Sequence, residues 1–369
     1  MKKKRLLWAS LVYSILLLPR ASGNHIFSSQ LSVALRAYYR NDQRIFWSGL
    51  ESTFLAEGRI NFSMEKRLSW TKIRLRSSVF LNQPYGKSIL VDEERVKYLP
   101  NFQKESLEIS EMNISLEGKN LRFSLGKFFS PFGRVYFPLL TNELGAFSPF
   151  LRSEVVLWRE TGVLLEWKPL FFDFAAALVN GEEDGDTNSD KALILRLGIK
   201  TRHISLGFSS KTQDGIGSEF FKKFNNYYGM DFLVKLRGVS LFGEVVHDWY
   251  GLWKPQGEER INWPRSLYYR DIFYKYKTPI KGWGGYMNFA VVGKTLELNL
   301  NYGVYYPQRI GNPYHDEPIK RGILYLVVKN RGLKVFSALL LESKRPREPW
   351  RSGEKGIAGI LGLEFERLF

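Results

Sequence analysis

The last residues of the chain, Leu361-Gly-Leu363-Glu-Phe365-Glu-Arg367-Leu-Phe369, place an apolar side chain at almost every second position and close on phenylalanine. On an extended backbone alternate side chains point to opposite faces, so such a segment has one apolar and one polar face. Arg367 shares the apolar row and departs from the pattern; at a membrane interface its stem can stay in the apolar layer while the charge reaches the headgroups. The same period of two recurs upstream. Leu31, Val33, Leu35, Ala37 and Tyr39 alternate with Ser32, Arg36 and Tyr38. Ile60, Phe62 and Met64 alternate with Arg59, Asn61 and Ser63, and Ile73 and Leu75 with Lys72, Arg74 and Arg76. Leu296, Leu298, Leu300 and Tyr302 alternate with Glu297, Asn299 and Asn301. Alternation of this kind is the mark of strands with unlike environments on their two faces.

Extended through segments apolar on both faces, the pattern predicts about sixteen strands. They fall near 29–40, 52–64, 70–81, 106–116, 121–129, 157–168, 170–179, 191–200, 202–209, 227–237, 239–248, 283–293, 295–306, 321–330, 333–342 and 356–369. Counts of fourteen and eighteen stay open. Most of these segments have about the length a tilted strand needs to cross a bilayer. The connections alternate. Gaps after odd strands are long, such as 82–105, 130–156 and 249–282; gaps after even strands are short, such as Glu117–Asn120 and Arg331-Gly332. A soluble sandwich has no reason to keep that parity. The expected fold is therefore all-β: a transmembrane antiparallel β-barrel with long extracellular loops and short periplasmic turns, in the outer membrane of a Gram-negative bacterium. The ending is similar to the C-terminal signature of such barrels, with Phe365 and Phe369 as the residues that barrel assembly machinery would meet.

The N-terminus fits this destination. Lys2, Lys3, Lys4 and Arg5 precede an apolar run, Leu6 to Leu18, and small residues Ala21 and Gly23 follow. That order predicts a cleaved signal peptide over residues 1–23, with the barrel over 24–369. No later stretch of eighteen apolar residues suits a helical span. Aromatics make up 15% of the chain, as interfacial girdles require. There is no cysteine, which excludes disulfides and thiolate metal sites. The net charge of +17 admits anionic solutes, lipopolysaccharide and nucleic acid as partners. A secreted chain does not meet nucleic acid, which removes that class.

The segment Phe123-Ser-Leu-Gly126-Lys127-Phe-Phe-Ser-Pro131-Phe132-Gly133 resembles the Gly-Lys/Arg-x-x-x-Pro-Phe-Gly element of the phosphate-selective porin O and P family. Further segments agree in order: Pro149-Phe150-Leu151, Arg159-Glu160-Thr161-Gly162-Val163, Asn180-Gly181, Tyr228-Gly229-Met-Asp231 and Gly243-Glu244. The resemblance implies a sixteen-stranded, often homotrimeric outer-membrane channel. It leaves the solute open between phosphate, other anions and small hydrophilic molecules generally.

A channel of this kind works by size exclusion and by the field of its lumen charges, without catalysis or cofactor. The connection 130–156, with Arg134, Tyr136, Asn142, Glu143 and Arg152, falls where such barrels fold a loop inward as a constriction. The basic ladder Lys72, Arg74 and Arg76 is expected opposite it, lining the pore. Arg36, Arg59, Arg122, Arg196, Lys200, Lys235 and Arg237 share lumen parity on their own strands, as do the acids Glu57, Glu111, Asp231, Glu244 and Glu297. A basic wall favours anions. In the acidic stretch 182–190, Asp184, Asp186 and Asn188 match the opening of an EF-hand loop, but Ser189 and Leu195 stand where glycine and glutamate are needed. A solvated loop, or one bridged to lipopolysaccharide by divalent ions, is expected instead. Glu244 and His247 lie three apart, which on a strand puts them on opposite faces and makes no metal pair. The competing function is a barrel scaffold or adhesin acting through its loops, above all the aromatic 249–282 connection with Trp249, Tyr250, Trp253, Trp263, Tyr268, Tyr269 and Tyr274.

Overall fold

Sixteen antiparallel strands close into one barrel in the computed structural model, which describes residues 27–43, 52–82, 107–133, 159–181, 191–213, 222–253, 280–308, 319–343 and 356–368. The strands are β1 (Phe27–Gln43), β2 (Ser52–Arg67), β3 (Lys72–Asn82), β4 (Leu107–Glu117), β5 (Leu121–Phe129), β6 (Arg159–Trp167), β7 (Phe172–Val179) and β8 (Ala192–Lys200). They continue as β9 (Ile204–Thr212), β10 (Lys222–Leu236), β11 (Val239–Trp253), β12 (Ile280–Val292), β13 (Leu296–Gln308), β14 (Ile319–Asn330), β15 (Leu333–Ser343) and β16 (Gly356–Leu368). Each pairs with its sequence neighbours, and β1 pairs with β16, Ser32 opposite Leu368 and Gln43 opposite Ile357. No strand edge is left open, which is what a sheet in hydrocarbon requires.

The two faces separate as the alternation predicts. Leu193, Leu195 and Leu197 are exposed on β8 while Ala192, Ile194 and Arg196 are buried. On β16 the exposed row is Leu361, Leu363 and Phe365, and Ile360 and Glu364 are buried. Arg367 lies in the exposed row. Exposed apolar rows on every side of a closed sheet face lipid; the buried polar rows face the lumen. Trp70, Trp167, Leu170 and Phe171 crowd the end of the barrel that carries the short turns, as an interfacial girdle.

The predicted strand over 121–129 coincides with β5, and most others agree to within three residues at each end. The largest departures are β10, which begins at Lys222 rather than 227, and β11, which runs to Trp253 rather than 248. This hairpin stays paired from Leu236↔Val239 out to Lys222↔Trp253. Trp249, Tyr250 and Trp253 therefore belong to a strand, not to the connection in which the sequence placed them. The ladder thus continues after the apolar alternation that reveals it has stopped. The remaining aromatic residues named in that connection, from Trp263 to Tyr274, lie outside the described residues, as do 1–23, Tyr136, Asn142, Glu143, 182–190 and Phe369.

Glycine is required where the wall is pinched. Gly126 pairs with Gly162 across β5 and β6. A Cβ on Gly126 (φ +119) would lie 2.3 Å from the carbonyl oxygen of Met112, and one on Gly162 would lie 2.1 Å from that of Leu178. Both obstacles are backbone in a ladder, so neither can yield locally. Gly162→Ala is expected to lower stability by about 1–3 kcal/mol through overpacking. The midpoint of urea unfolding in vesicles measures it, and an unchanged midpoint would contradict this account.

Candidate functional site

The turn-side half of the lumen wall carries a belt of alternating charge. Lys72, Arg74 and Arg76 stand in one row on β3, flanked by Glu65 at the end of β2 and Glu117 at the end of β4. The Arg74 guanidinium bridges both, at 2.6 Å from Glu65 and 3.0 Å from Glu117. Lys72 lies 3.0 Å from Glu117, Arg76 lies 3.6 Å from it, and Arg122 of β5 lies 3.8 Å from it. Arg122 also reaches Glu166 of β6 at 3.0 Å, and Glu166 holds Lys168 at 2.6 Å. Lys168 leads to Asp173 of β7 (3.6 Å), and Asp173 to Arg196 of β8 (3.3 Å). Arg196 ends the run on Asp231 of β10, with Nη2 donating to Oδ1 at 3.0 Å. On the other side of the barrel Lys329 pairs with Glu297, and Lys334 lies 2.7 Å from Glu364 and 3.1 Å from Glu366. Arg59 of β2 approaches Glu366 at 3.8 Å across β1, which carries the belt over the closing seam.

The ladder on β3 is thus interleaved with carboxylates. Glu65 and Glu117 are its partners, Glu166 continues the belt beyond Arg122, and the sequence reading singled out none of the three. The signal was available in hairpin register: the last lumen residues of β2 and β4 sit beside the first lumen residues of β3. Arg36 lies on β1 opposite Glu57 and Glu364; the side chains of Arg36 and Glu57 lie outside the described residues, as do Arg134 and Arg152. Glu244 is buried on the lumen face of β11 while His247 is exposed on the lipid face, as strand parity requires. Among the described residues no group of carboxylates and histidines is arranged to hold a metal.

Above the belt, the chain leaving β5 enters the lumen. Ser130, Phe132 and Gly133 are buried. The Gly133 N–H donates to Ser209 Oγ of β9 at 3.0 Å, and Arg196 Nη1 donates to the Gly133 carbonyl at 3.4 Å. A Cβ on Gly133 (φ +61) would fall 1.6 Å from Glu244 Oε1 of β11. A Cβ on Gly229 of β10 would stand 3.0 Å from the Phe132 ring, so the bare glycine makes the seat for that ring. The segment therefore starts on β5 and is fastened to wall strands three to six positions away. Close by, Lys211 of β9 and Glu160 of β6 form an ion pair with side chains 1% and 0% exposed. The two span β7 and β8, whose buried lumen row there is apolar: Ala177, Val179, Ala192 and Ile194, with Ile194 directly opposite Lys211. Segments whose likeness to the porin O and P family was read in the sequence thus meet in space. Gly126 lies against Gly162, Gly133 against Glu244, and Phe132 against Gly229.

A closed sixteen-stranded barrel, apolar outside and charged within, is the architecture of a bacterial outer-membrane β-barrel. Solved structures of that class match the chain along nearly its whole length. OmpT of Vibrio cholerae superposes with a TM-score of 0.63 at 9% identity, covering 94% of this chain and 99% of that one. A trimer form of the same protein, folded in vitro, also gives 0.63 at 9% identity, covering 92% and 99%. A triple mutant of the Rhodopseudomonas blastica porin gives 0.54 at 10% identity, covering 92% and 100%. At these identities the match is one of fold. No protein-family model matches the chain, and no curated protein matches it in sequence.

Proposed function

We propose that the protein is a porin: a passive channel for small hydrophilic solutes, with the connection 130–156 folded inward as its constriction. The root of that connection carries the reading. Ser130–Gly133 turns into the lumen and is hydrogen-bonded to β8 and β9, three and four strands away, as suits the start of a loop that narrows a pore. Arg134 and Arg152 follow on the same connection and would bring positive charge to the narrowest part. In the belt below, cations and carboxylates nearly balance, so its contribution is a modest preference for anions. Resemblance to the porin O and P family supports phosphate among those anions, and the solved trimer form of OmpT supports a homotrimer. Outer-membrane lipid, lipopolysaccharide and the barrel assembly machinery complete the partners, the last reading Phe365 and Phe369. The chain from residue 24 forms the barrel after the leader is removed, and no catalysis or cofactor is assigned to it.

Single-channel current across a planar bilayer, under a salt gradient, tests the proposal. Steady open steps with a reversal potential displaced toward the anion are expected. Folded protein that never conducts would overturn the channel and leave the scaffold reading, with function in the long loops.

Glu117→Gln tests the belt. Glu117 lies within 3.8 Å of Lys72, Arg74, Arg76 and Arg122, so its loss leaves a cluster of cations short of one carboxylate. The anion-to-cation permeability ratio is expected to rise roughly two- to fivefold, the effect of one unit charge a few ångströms from the permeant ion in confined water. A ratio that does not move would mean that permeant ions do not sense the belt.

A further inference from the structure

The seven short turns form a second charged ring, separate from the lumen belt. They span residues 68–71, 118–120, 168–171, 201–203, 237–238, 293–295 and 331–332, and none contains aspartate or glutamate. Six of them carry a lysine or arginine, and Arg67 abuts the seventh. Arg67 and Lys168 reach back to Glu65 and Glu166. Lys119, Arg202, Arg237, Lys294 and Arg331 are exposed and, among the described residues, make no side-chain ion pair or hydrogen bond. The belt cations have carboxylate partners; among the described residues these five have none.

Backbone geometry makes a second, independent case. Arg237-Gly238 and Arg331-Gly332 are two-residue hairpin turns with positive φ at both positions, +33 and +87 in the first and +43 and +90 in the second. That turn type favours Asn-Gly, because asparagine tolerates the left-handed region better than a long side chain does. Arginine occupies the strained position both times. Among the described residues the one other non-glycine with positive φ is Leu170, φ +52, also in a short turn and 93% exposed. Trp70, 83% exposed, lies in another. Strained backbone that holds a bare cation or a bare apolar side chain marks a surface with a partner.

We infer that the turn ring is a docking surface for anionic phospholipid headgroups in the inner leaflet of the outer membrane. Apolar and cationic side chains at one level match the two chemistries found there. Trp70, Leu170 and Phe171 enter the acyl boundary, and the five cations meet phosphates just outside it. Neighbouring hairpins lie two strand spacings apart, about 10 Å, close to the Debye length in physiological salt. Their fields overlap, and the ring attracts anions as a continuous band. The inference does not depend on whether the barrel conducts.

The test uses residues 24–369 refolded into phosphatidylcholine vesicles that contain spin-labelled phosphatidylglycerol or spin-labelled phosphatidylcholine. The protein is expected to associate with the anionic lipid about five- to thirtyfold more strongly, the increment of one or two cations near an anionic surface. In molar salt the preference should collapse, because screening there acts over about 3 Å. A combined variant, Lys119→Gln, Arg202→Gln, Arg237→Asn, Lys294→Gln and Arg331→Asn, should bind both lipids equally. Asparagine suits both strained turns, so this variant keeps the fold, and the unchanged wild-type gel shift on heating checks that. Equal association in the wild type would overturn the inference, as would a preference that survives in the variant. A variant whose reversal potential shifts while its lipid preference stays would also overturn it, assigning the ring to passing solutes instead.

Discussion

Gly133→Val is expected to leave the barrel closed and to unseat the segment that enters the lumen, so that single-channel conductance rises and becomes unsteady. The position tolerates nothing larger than hydrogen, for two reasons. Its φ of +61 lies in the left-handed region, where a β-branched residue is strained by about 1–3 kcal/mol. A Cβ would also fall 1.6 Å from Glu244 Oε1, and Glu244 is buried, with the Tyr286 hydroxyl donating to its Oε2 at 3.4 Å. That carboxylate has no open space to rotate into. The cheapest escape is to lift Gly133 from the wall, which breaks the hydrogen bonds to Ser209 and Arg196. The strands do not depend on those bonds, so the heat-modifiable gel shift of a folded barrel should persist. Conductance identical to the wild type, from protein that passes the gel test, would show that the root of 130–156 does not govern the pore.

Arg196→Met is expected to be the most destabilising single change at the site, by about 3–5 kcal/mol, because it strands a buried carboxylate. The Arg196 side chain is 5% exposed and that of Asp231 is 0% exposed. The guanidinium also donates to Asp173, Ser209 and the Gly133 carbonyl, so one side chain ties β7, β9 and β10 to the incoming segment. Asp231→Leu in the same chain should recover part of the loss, since a pair replaced by apolar residues leaves no buried charge behind. Urea unfolding in vesicles, read by intrinsic fluorescence, gives the three midpoints. Losses that simply add in the double variant would mean that the two residues act independently.

Lipid made the fold legible. It forces every second residue of a spanning strand to be apolar, and the alternation at Ile60-Phe62-Met64 or Leu296-Leu298-Leu300 records that pressure directly. Where the pressure ends, the reading ended: Lys222–Asn226 and Trp249–Trp253 continue the β10–β11 ladder, but no strict apolar alternation marks them in the sequence. The lumen was harder to read, because its partners are set by register and not by proximity in sequence. Arg74 finds Glu65 nine residues away and Glu117 forty-three away, and only the alignment of β2, β3 and β4 reveals that both flank it. The segments likened to porin O and P held more than they showed. Their glycines gave no hint in sequence that Gly126 faces Gly162, or that Gly133 and Gly229 make room for a carboxylate and a ring.

The β1–β16 seam carries a consequence for how the barrel comes to exist. Every other pairing joins strands adjacent in the chain, so each can zip from its own connection. The seam joins Ser32 to Leu368 and has no connection of its own. Loop-closure entropy grows with the length enclosed, and this contact encloses almost everything. Closure is therefore the slowest and least local event in maturation. Until it happens β1 and β16 are two unsatisfied edges, ready to pair with any neighbouring chain. A lesion that weakens the seam should thus show itself first as cross-pairing between molecules during biogenesis, with little sign of it in the finished barrel.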